Sequence, residues 1–284
     1  DASGESRDLS MISLRGRTAL VTGGTQGVGA AIAYALAQAG AKVILHGLYD
    51  DSYAQATLEA CRAISPECKL VCFDLSRPVS EILEQLIHPL IAKESDLSIV
   101  VCNAGIYIDP PFVEVSESSY DRTMHVNVKV GYFIAQAFAK HWIDKGIDGR
   151  LLFTGSINGL LAESDHSVYD TSKGALAAMV RSLCVSLAPK RIRVNSIAPG
   201  LVRTPLTNQI LSADQTALDW MKLHTPNRQV PEARVCGPIA AFLVSDLAEH
   251  IHGQTIYIDG GMSAWQQPDV PSEFRSWQKT RSSE

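Results

Sequence analysis

Tyr169 and Lys173 stand four residues apart in the run Tyr169-Asp-Thr-Ser-Lys173. On a helix that spacing sets both side chains on one face, one turn apart. A tyrosine phenol ordinarily titrates near about 10 and is a poor base at neutral pH. A lysine ammonium beside it favours the phenolate and lowers that value. The pair can then exchange a proton with a substrate oxygen. Ser156 follows the apolar run Arg150–Thr154 and precedes Tyr169 by thirteen residues. A hydroxyl at the C-terminal edge of a strand can hold a substrate oxygen as charge develops there. Asn127, in Met124-His-Val-Asn-Val128, offers a buried amide to anchor a water that returns the proton to solvent through Lys173. Each residue also has an ordinary structural use, and it is their joint placement that points to chemistry.

A second constellation lies near the start of the chain. Thr18–Thr22 reads as a short strand and runs into Thr22-Gly-Gly-Thr-Gln-Gly-Val-Gly29, followed by the Ala-rich helical stretch Ala30–Ala39. Gly23, Gly27 and Gly29 permit a tight turn and close backbone approach. The helix start beyond them offers unpaired N–H groups and partial positive charge to a pyrophosphate. Thr25, Gln26 and Val28 belong to the same loop. The carboxylate that would hold an NAD ribose is expected at the end of the second strand, Lys42–His46. That end reads His46-Gly47-Leu48, and Asp50 and Asp51 follow too late. The missing acid removes repulsion against a 2′-phosphate and leans the cofactor from NAD toward NADP. Gln26 and His46 are candidates to hydrogen-bond that phosphate. Asp74, with Leu75, ends a third strand and is placed either to meet an adenine amino group or to cap a helix.

These groups need a frame. Strand-like runs at Lys69–Phe73, Leu97–Cys102, Arg150–Thr154, Arg193–Ile197 and Thr255–Ile258 alternate with helical stretches at Tyr53–Ile64, Val79–Lys93, Ser116–Lys145, Tyr169–Ala188 and Val235–Ser245. Fully apolar strands between helices imply a parallel sheet covered on both faces, the doubly wound α/β architecture. The expected form is one Rossmann-like domain over residues 1–284, with about seven strands in the order 3-2-1-4-5-6-7. Its core spans about 14–261, and a polar tail over 262–284 carries Trp265 and Trp277. The segment Leu201–Arg234 interrupts the rhythm as either a lid or a packed helical excursion.

Composition excludes several classes. The 284 residues are 46% hydrophobic and 19% charged, enough for a large core and too apolar for a disordered chain. A net charge of −5 argues against nucleic-acid binding. No run of eighteen apolar residues suggests a membrane helix, and the start lacks a signal-peptide core, so a cytoplasmic protein is expected. The six cysteines, without a CxxC pair, read as free thiols, with no metal site.

Taken together, the chain resembles a classical short-chain dehydrogenase/reductase. The matching motifs are the glycine loop from Thr22 to Gly29, Asn103-Ala104-Gly105, Asn127, Ser156, Tyr169 with Lys173, and Pro199-Gly200, in the family's order over roughly Leu14 to Gly261. The resemblance implies that Tyr169 is the general acid/base, and that Lys173 tunes it and binds the nicotinamide ribose. Ser156 would orient the substrate oxygen, and Asn127 would support the proton relay. It further implies that Asn103-Ala104-Gly105 shapes the cofactor floor. Pro199, Gly200 and Val202 would lie by the nicotinamide, with Thr204 reaching its carboxamide. Family members usually form tetramers or dimers through the long helices, here Ser116–Lys145 and Tyr169–Ala188.

The substrate pocket is expected from Ile106–Phe112, Ile157–Val168 and Leu201–Arg234. Asn158, Glu163, Asp165 and His166 lie in the second of these and point to a hydroxyl-rich small molecule, a sugar or polyol. The rival within the family is a 3-oxoacyl-thioester reductase, for which Lys129, Lys140 and Arg181 give only scattered basic charge toward an acidic carrier. The rival of another class is a non-catalytic dinucleotide sensor or scaffold. Such a protein has no need of the Tyr169–Lys173 pair.

Overall fold

In the computed structural model, residues 11–108, 110–205, 207–208 and 215–265 are described. Seven parallel strands form one sheet in the order β3-β2-β1-β4-β5-β6-β7. They are β1 (Thr18–Val21), β2 (Lys42–Gly47), β3 (Lys69–Cys72), β4 (Leu97–Cys102), β5 (Arg150–Thr154), β6 (Arg193–Pro199) and β7 (Thr255–Ile258). The central strands are buried along their whole length, as expected of a sheet with helices on both faces.

On one face, α1 (Gly27–Gln38) packs with α9 (Cys236–Val244). Its core joins Ile32, Leu36, Val43, Leu45, Ile99, Val101 and Leu243. The other face carries α4 (His88–Lys93), α6 (Val130–Lys145) and α7 (Ser167–Leu187), and its core is anchored by Phe138, Trp142 and Phe153. Further α-helices among the described residues are α2 (Ser52–Arg62), α3 (Val79–Ile82), α5 (Glu117–Met124) and α8 (Gln215–Leu223). Side chains alternate across each strand, so one sequence feeds both cores.

Two of the expected helices contain a wider turn. A π-helical turn at Leu83–Ile87 joins α3 to α4, and another at His125–Lys129 joins α5 to α6. The second carries Asn127 and re-aims it relative to a regular helix. The Leu201–Arg234 segment includes α8, whose Leu218 and Met221 pack with Leu201 and Val230 in a small separate cluster. Its described part is therefore a packed helical excursion. Trp277 and the rest of the tail past Trp265 lie outside the described residues.

Strand order reverses between β1 and β4, and crevices of this kind of sheet open at the C-terminal ends of strands beside such a reversal. The glycine loop, Leu48, Asp74, Asn103 and Ser156 follow the C-terminal ends of strands, Gly47 and Pro199 end theirs, and Tyr169 and Lys173 sit on α7.

Candidate active site

The loop after β1 is tied down on two sides. Thr22 Oγ1 accepts from the Asn103 and Ala104 N–H groups at 3.0 and 3.1 Å, and Asn103 Nδ2 donates to the Thr22 and Gly23 carbonyls at 3.1 and 3.0 Å. On the other side the Gly23 N–H donates to His46 Nδ1 at 3.3 Å, while His46 Nε2 bonds the Phe73 carbonyl at 3.0 Å. That pairing fixes the tautomer, with the proton on Nε2. His46 is buried, and desolvation pulls its pKa down to about 4. It is a neutral brace between β1, β2 and β3, with both ring nitrogens engaged by backbone groups, and it also lines the cleft beside the glycine loop.

The glycines are required by contact as well as by conformation. A Cβ at Gly29 would fall 2.0 Å from the Gly23 carbonyl oxygen, and Gly23 itself has φ +60°. The Gln26 side chain makes no cap for α1, and the first turn carries no acid. Orphan N–H groups at the helix start therefore face the cleft, a fit for a pyrophosphate.

That cleft, about 540 Å3, is lined by Gly23, Thr25, Gln26, Gly27, Val28, Gly29, Gly47, Leu48, Asp74, Leu75, Asn103, Ala104, Gly105 and Thr204, all expected from the sequence. Tyr49, Phe73, Arg122 and Val126 join them. Arg122 was missed by sequence reasoning. The available signal is its i,i+4 spacing to Val126, next to Asn127. Asp74 Oδ1 accepts from the Ser76 N–H at 2.8 Å in a turn, and does not cap α3, which begins after Pro78. That bond, helped by Arg122 and Arg77, holds its carboxyl below the usual range. Pro199, Gly200 and Val202 stand off these walls. Pro199 ends β6, Gly200 packs against Asp259, and Val202 is buried.

The second group gathers around α7. Lys173 Nζ is buried, donates to the Thr154 carbonyl at 3.0 Å, and lies 5.4 Å from the Tyr169 ring centre. Burial alone lowers its pKa to about 8. Asn127 Oδ1 accepts from the Ile106 N–H at 2.8 Å, and its Nδ2 donates to the Ile106 carbonyl at 2.9 Å and to Ser172 Oγ at 3.0 Å. The amide hydrogens go to protein oxygens, which makes Asn127 a brace between the π turn, the Gly105–Ile106 floor and α7. Ser156 Oγ bonds Asn158 Oδ1 at 3.1 Å and accepts from the Asn158 N–H at 3.2 Å, capping the short turn Ile157–Gly159. That turn presses on α7, since a Cβ at Gly159 would lie 2.9 Å from the Lys173 carbonyl oxygen.

Tyr107, absent from the sequence candidates by name, stands edge-on to Tyr169 with ring centres 5.3 Å apart. Its hydroxyl meets His166 Nε2 at 2.6 Å, and the same nitrogen lies 2.9 Å from Glu163 Oε2. Beyond them a second cavity of about 520 Å3 is walled by Asn158, Glu163, Asp165 and His166 on one side and Trp220, His224, Met262 and Trp265 on the other. Among the described residues no group of three or more His, Cys, Asp or Glu could hold a metal ion, and no helix is long and apolar enough to cross a membrane.

The family model described as enoyl-(acyl carrier protein) reductase matches residues 23–263. Glucose 1-dehydrogenase of Gluconobacter oxydans is 29% identical over 250 residues, covering 88% of this chain and 93% of that protein. The 3-oxoacyl-(acyl-carrier-protein) reductase FabG of Rickettsia prowazekii is 31% identical over 261 residues, covering 89% and 99%. Among solved structures, a gluconate 5-dehydrogenase of Burkholderia cenocepacia in complex with NADP and tartrate superposes with a TM-score of 0.82 at 28% identity, covering 89% and 98%. With the strand order, the glycine cradle and the Tyr169–Lys173 pair already in place, these likenesses assign the chain to the classical short-chain dehydrogenase/reductase family.

Proposed function

We propose that this chain is an NAD(P)-dependent oxidoreductase that moves a hydride between its dinucleotide and the carbonyl or alcohol carbon of a small polyhydroxy substrate, a sugar or polyol. The observation that carries the reading is the buried Lys173 ammonium beside the Tyr169 ring. The bound dinucleotide supplies or accepts the hydride. The Gly23–Gly29 loop and the start of α1 would hold its pyrophosphate and Asp74 and Leu75 would take its adenine end, while Thr204 closes the cleft against Gly27.

Tyr169 gives a proton to the substrate oxygen in reduction and removes it in oxidation. Lys173 favours the phenolate electrostatically and would bind the nicotinamide ribose. Ser156 donates to the same substrate oxygen once it exchanges its Asn158 contact for substrate. Asn127 keeps Gly105–Ile106 at the correct distance from α7, and supports the relay in that way.

The acid-free Gly47-Leu48 turn supports NADP, as does the NADP-bound gluconate 5-dehydrogenase. The glucose 1-dehydrogenase supports a sugar substrate. The FabG relative supports the second reading, a 3-oxoacyl-thioester reductase. Exposed Tyr132 and Val185 on α6 and α7 support assembly into a homotetramer, or a dimer, through those helices. Six free cysteines support a cytoplasmic setting.

Fluorescence titration with NADPH and NADH, followed by turnover assays on sugars and on an acetoacetyl thioester, tests the proposal. Tighter NADPH binding with sugar turnover that falls about 100-fold or more in Tyr169→Phe is expected. Binding of neither dinucleotide, or full turnover in Tyr169→Phe, overturns it. Turnover of the thioester alone transfers the assignment to the second reading.

A further inference from the structure

The second cavity differs in character on its two sides. One wall holds Glu163, Asp165 and His166, with Asp170 directly behind Asn158. Glu163 is fixed in place. Its Oε2 meets His166 Nε2, which also meets the Tyr107 hydroxyl, and its backbone N–H donates to Asp170 Oδ2 at 3.2 Å. Asp170 Oδ1 in turn accepts from Asn158 Nδ2 at 2.8 Å. Carboxylates accept hydrogen bonds and cannot donate them. This wall is therefore rich in acceptors and negatively charged. His166 is 6.4 Å from the Tyr169 ring, centre to centre, so the wall begins beside the reacting centre.

The facing wall is aromatic. Trp220 is half exposed and stacks on His224 with ring centres 4.1 Å apart. Among the described residues that line the cavity there is no lysine or arginine. Arg228 is turned onto the Trp265 ring, 5.7 Å from its centre, and donates to the Leu223 carbonyl.

Resting on the dehydrogenase reading above, we propose that this cavity selects an uncharged polyhydroxy substrate and turns away its carboxylate counterpart. A neutral sugar brings O–H donors to Glu163 and Asp165, and lays its C–H face on Trp220. A sugar acid brings acceptors and negative charge to a wall of the same kind, and meets no paired cation there. The selection is carried by Glu163 as a substrate-binding residue, with His166 as the positioning residue that holds it.

Steady-state kinetics with D-glucose and D-gluconate, using the dinucleotide that binds more tightly, tests this. The wild type is expected to favour D-glucose at least about tenfold in kcat/KM. Glu163→Gln is expected to raise KM for D-glucose and lower KM for D-gluconate, opposite movements that a loss of folding would not produce. Glu163→Lys is expected to move the preference further toward D-gluconate. Preference of the wild type for D-gluconate, or Glu163→Gln moving both substrates in the same direction, overturns the inference while leaving hydride transfer intact. Dinucleotide binding with turnover of neither sugar also overturns it. Absence of dinucleotide binding sinks the underlying reading instead.

Discussion

Lys173 Nζ lies 5.4 Å from the centre of the Tyr169 ring, yet its hydrogen bond goes to the Thr154 carbonyl at the end of β5. The ammonium is thus held in place by the sheet and not by the tyrosine. It can act on the phenol through its charge without being bound to it. Keeping that charge inside the protein works against folding, since burial lowers its pKa from 10.5 to about 8. Strain of this kind collects at functional sites.

Lys173→Met is therefore expected to abolish measurable turnover while making the protein more stable at pH 7. The depression to about 8 sets an upper limit of about 3 kcal/mol for the gain, and loss of the bond to Thr154 reduces it to about 1–2 kcal/mol. The folded wild type releases its proton near pH 8 and the unfolded chain near 10.5. Between those values the unfolded chain binds more protons, so wild-type stability rises with pH. The variant's advantage should be complete below pH 8 and fade as pH rises toward 10.5. Urea unfolding at pH 7 and at pH 10 checks both parts.

His46 gives the opposite case, a group that must remain neutral. Its folded pKa of about 4 lies below the ordinary 6.5. Its contribution is therefore intact above pH 6.5 and is lost as pH falls toward 4. Protonation turns Nδ1 into a donor facing the Gly23 N–H, which loosens the phosphate loop. Dinucleotide affinity is expected to hold down to about pH 5 and to fall as pH drops through about 4. His46→Leu should weaken binding at pH 7 by about tenfold and remove most of the acid dependence, because it leaves the Gly23 N–H and Phe73 carbonyl without that partner. Calorimetric titration of both proteins across this range is the measurement.

The contrast between His46 and Gly29 shows what was legible in the sequence. Gly29 was readable because a strand, a glycine loop and a helix start occur in succession, and each local signal agrees. The same holds for the strands Leu97–Cys102, Arg150–Thr154 and Thr255–Ile258, whose apolar runs end at the observed boundaries. His46 was read as a phosphate contact because its place at the end of β2 is visible in sequence. Its burial depends on β1 and β3 closing over it. Tyr107 was covered only within the pocket segment Ile106–Phe112, and Arg122 was not named, for a related reason. Their partners, His166 and Asp74, are 59 and 48 residues away, and neither spacing leaves a periodic trace. The π turn at Asn127 was also hidden, since one extra residue in a helical turn hardly disturbs the apolar pattern.

Gly29→Ala is expected to remove dinucleotide binding outright. Its Cβ would overlap the Gly23 carbonyl oxygen and the Asn103 amide together, so the loop must open to admit it. Gly174 on α7 is the matching control, because a Cβ there meets nothing within 4 Å. Gly174→Ala should fold with a gain of about 0.5–1 kcal/mol, from helix propensity alone. Thermal unfolding with and without NADPH separates the two: the ligand-induced shift disappears in the first variant and persists in the second.

Leu48→Asp is expected to invert cofactor preference. Leu48 follows β2, borders the dinucleotide cleft and is 48% exposed, so a carboxylate there remains hydrated and charged. A carboxylate at this place accepts from a ribose 2′-hydroxyl and repels a 2′-phosphate. The neighbouring Gly47 does not serve for the same test, because any Cβ there would lie 2.6 Å from Thr25 Cγ2 and disturb the phosphate loop. The ratio of NADPH to NADH affinity should drop at least about tenfold in Leu48→Asp, mostly through weaker NADPH binding. An unchanged ratio would mean that the 2′-phosphate is held away from the end of β2. Selectivity would then have to be sought at another cation of the cleft, with Arg122→Gln as the next variant to titrate.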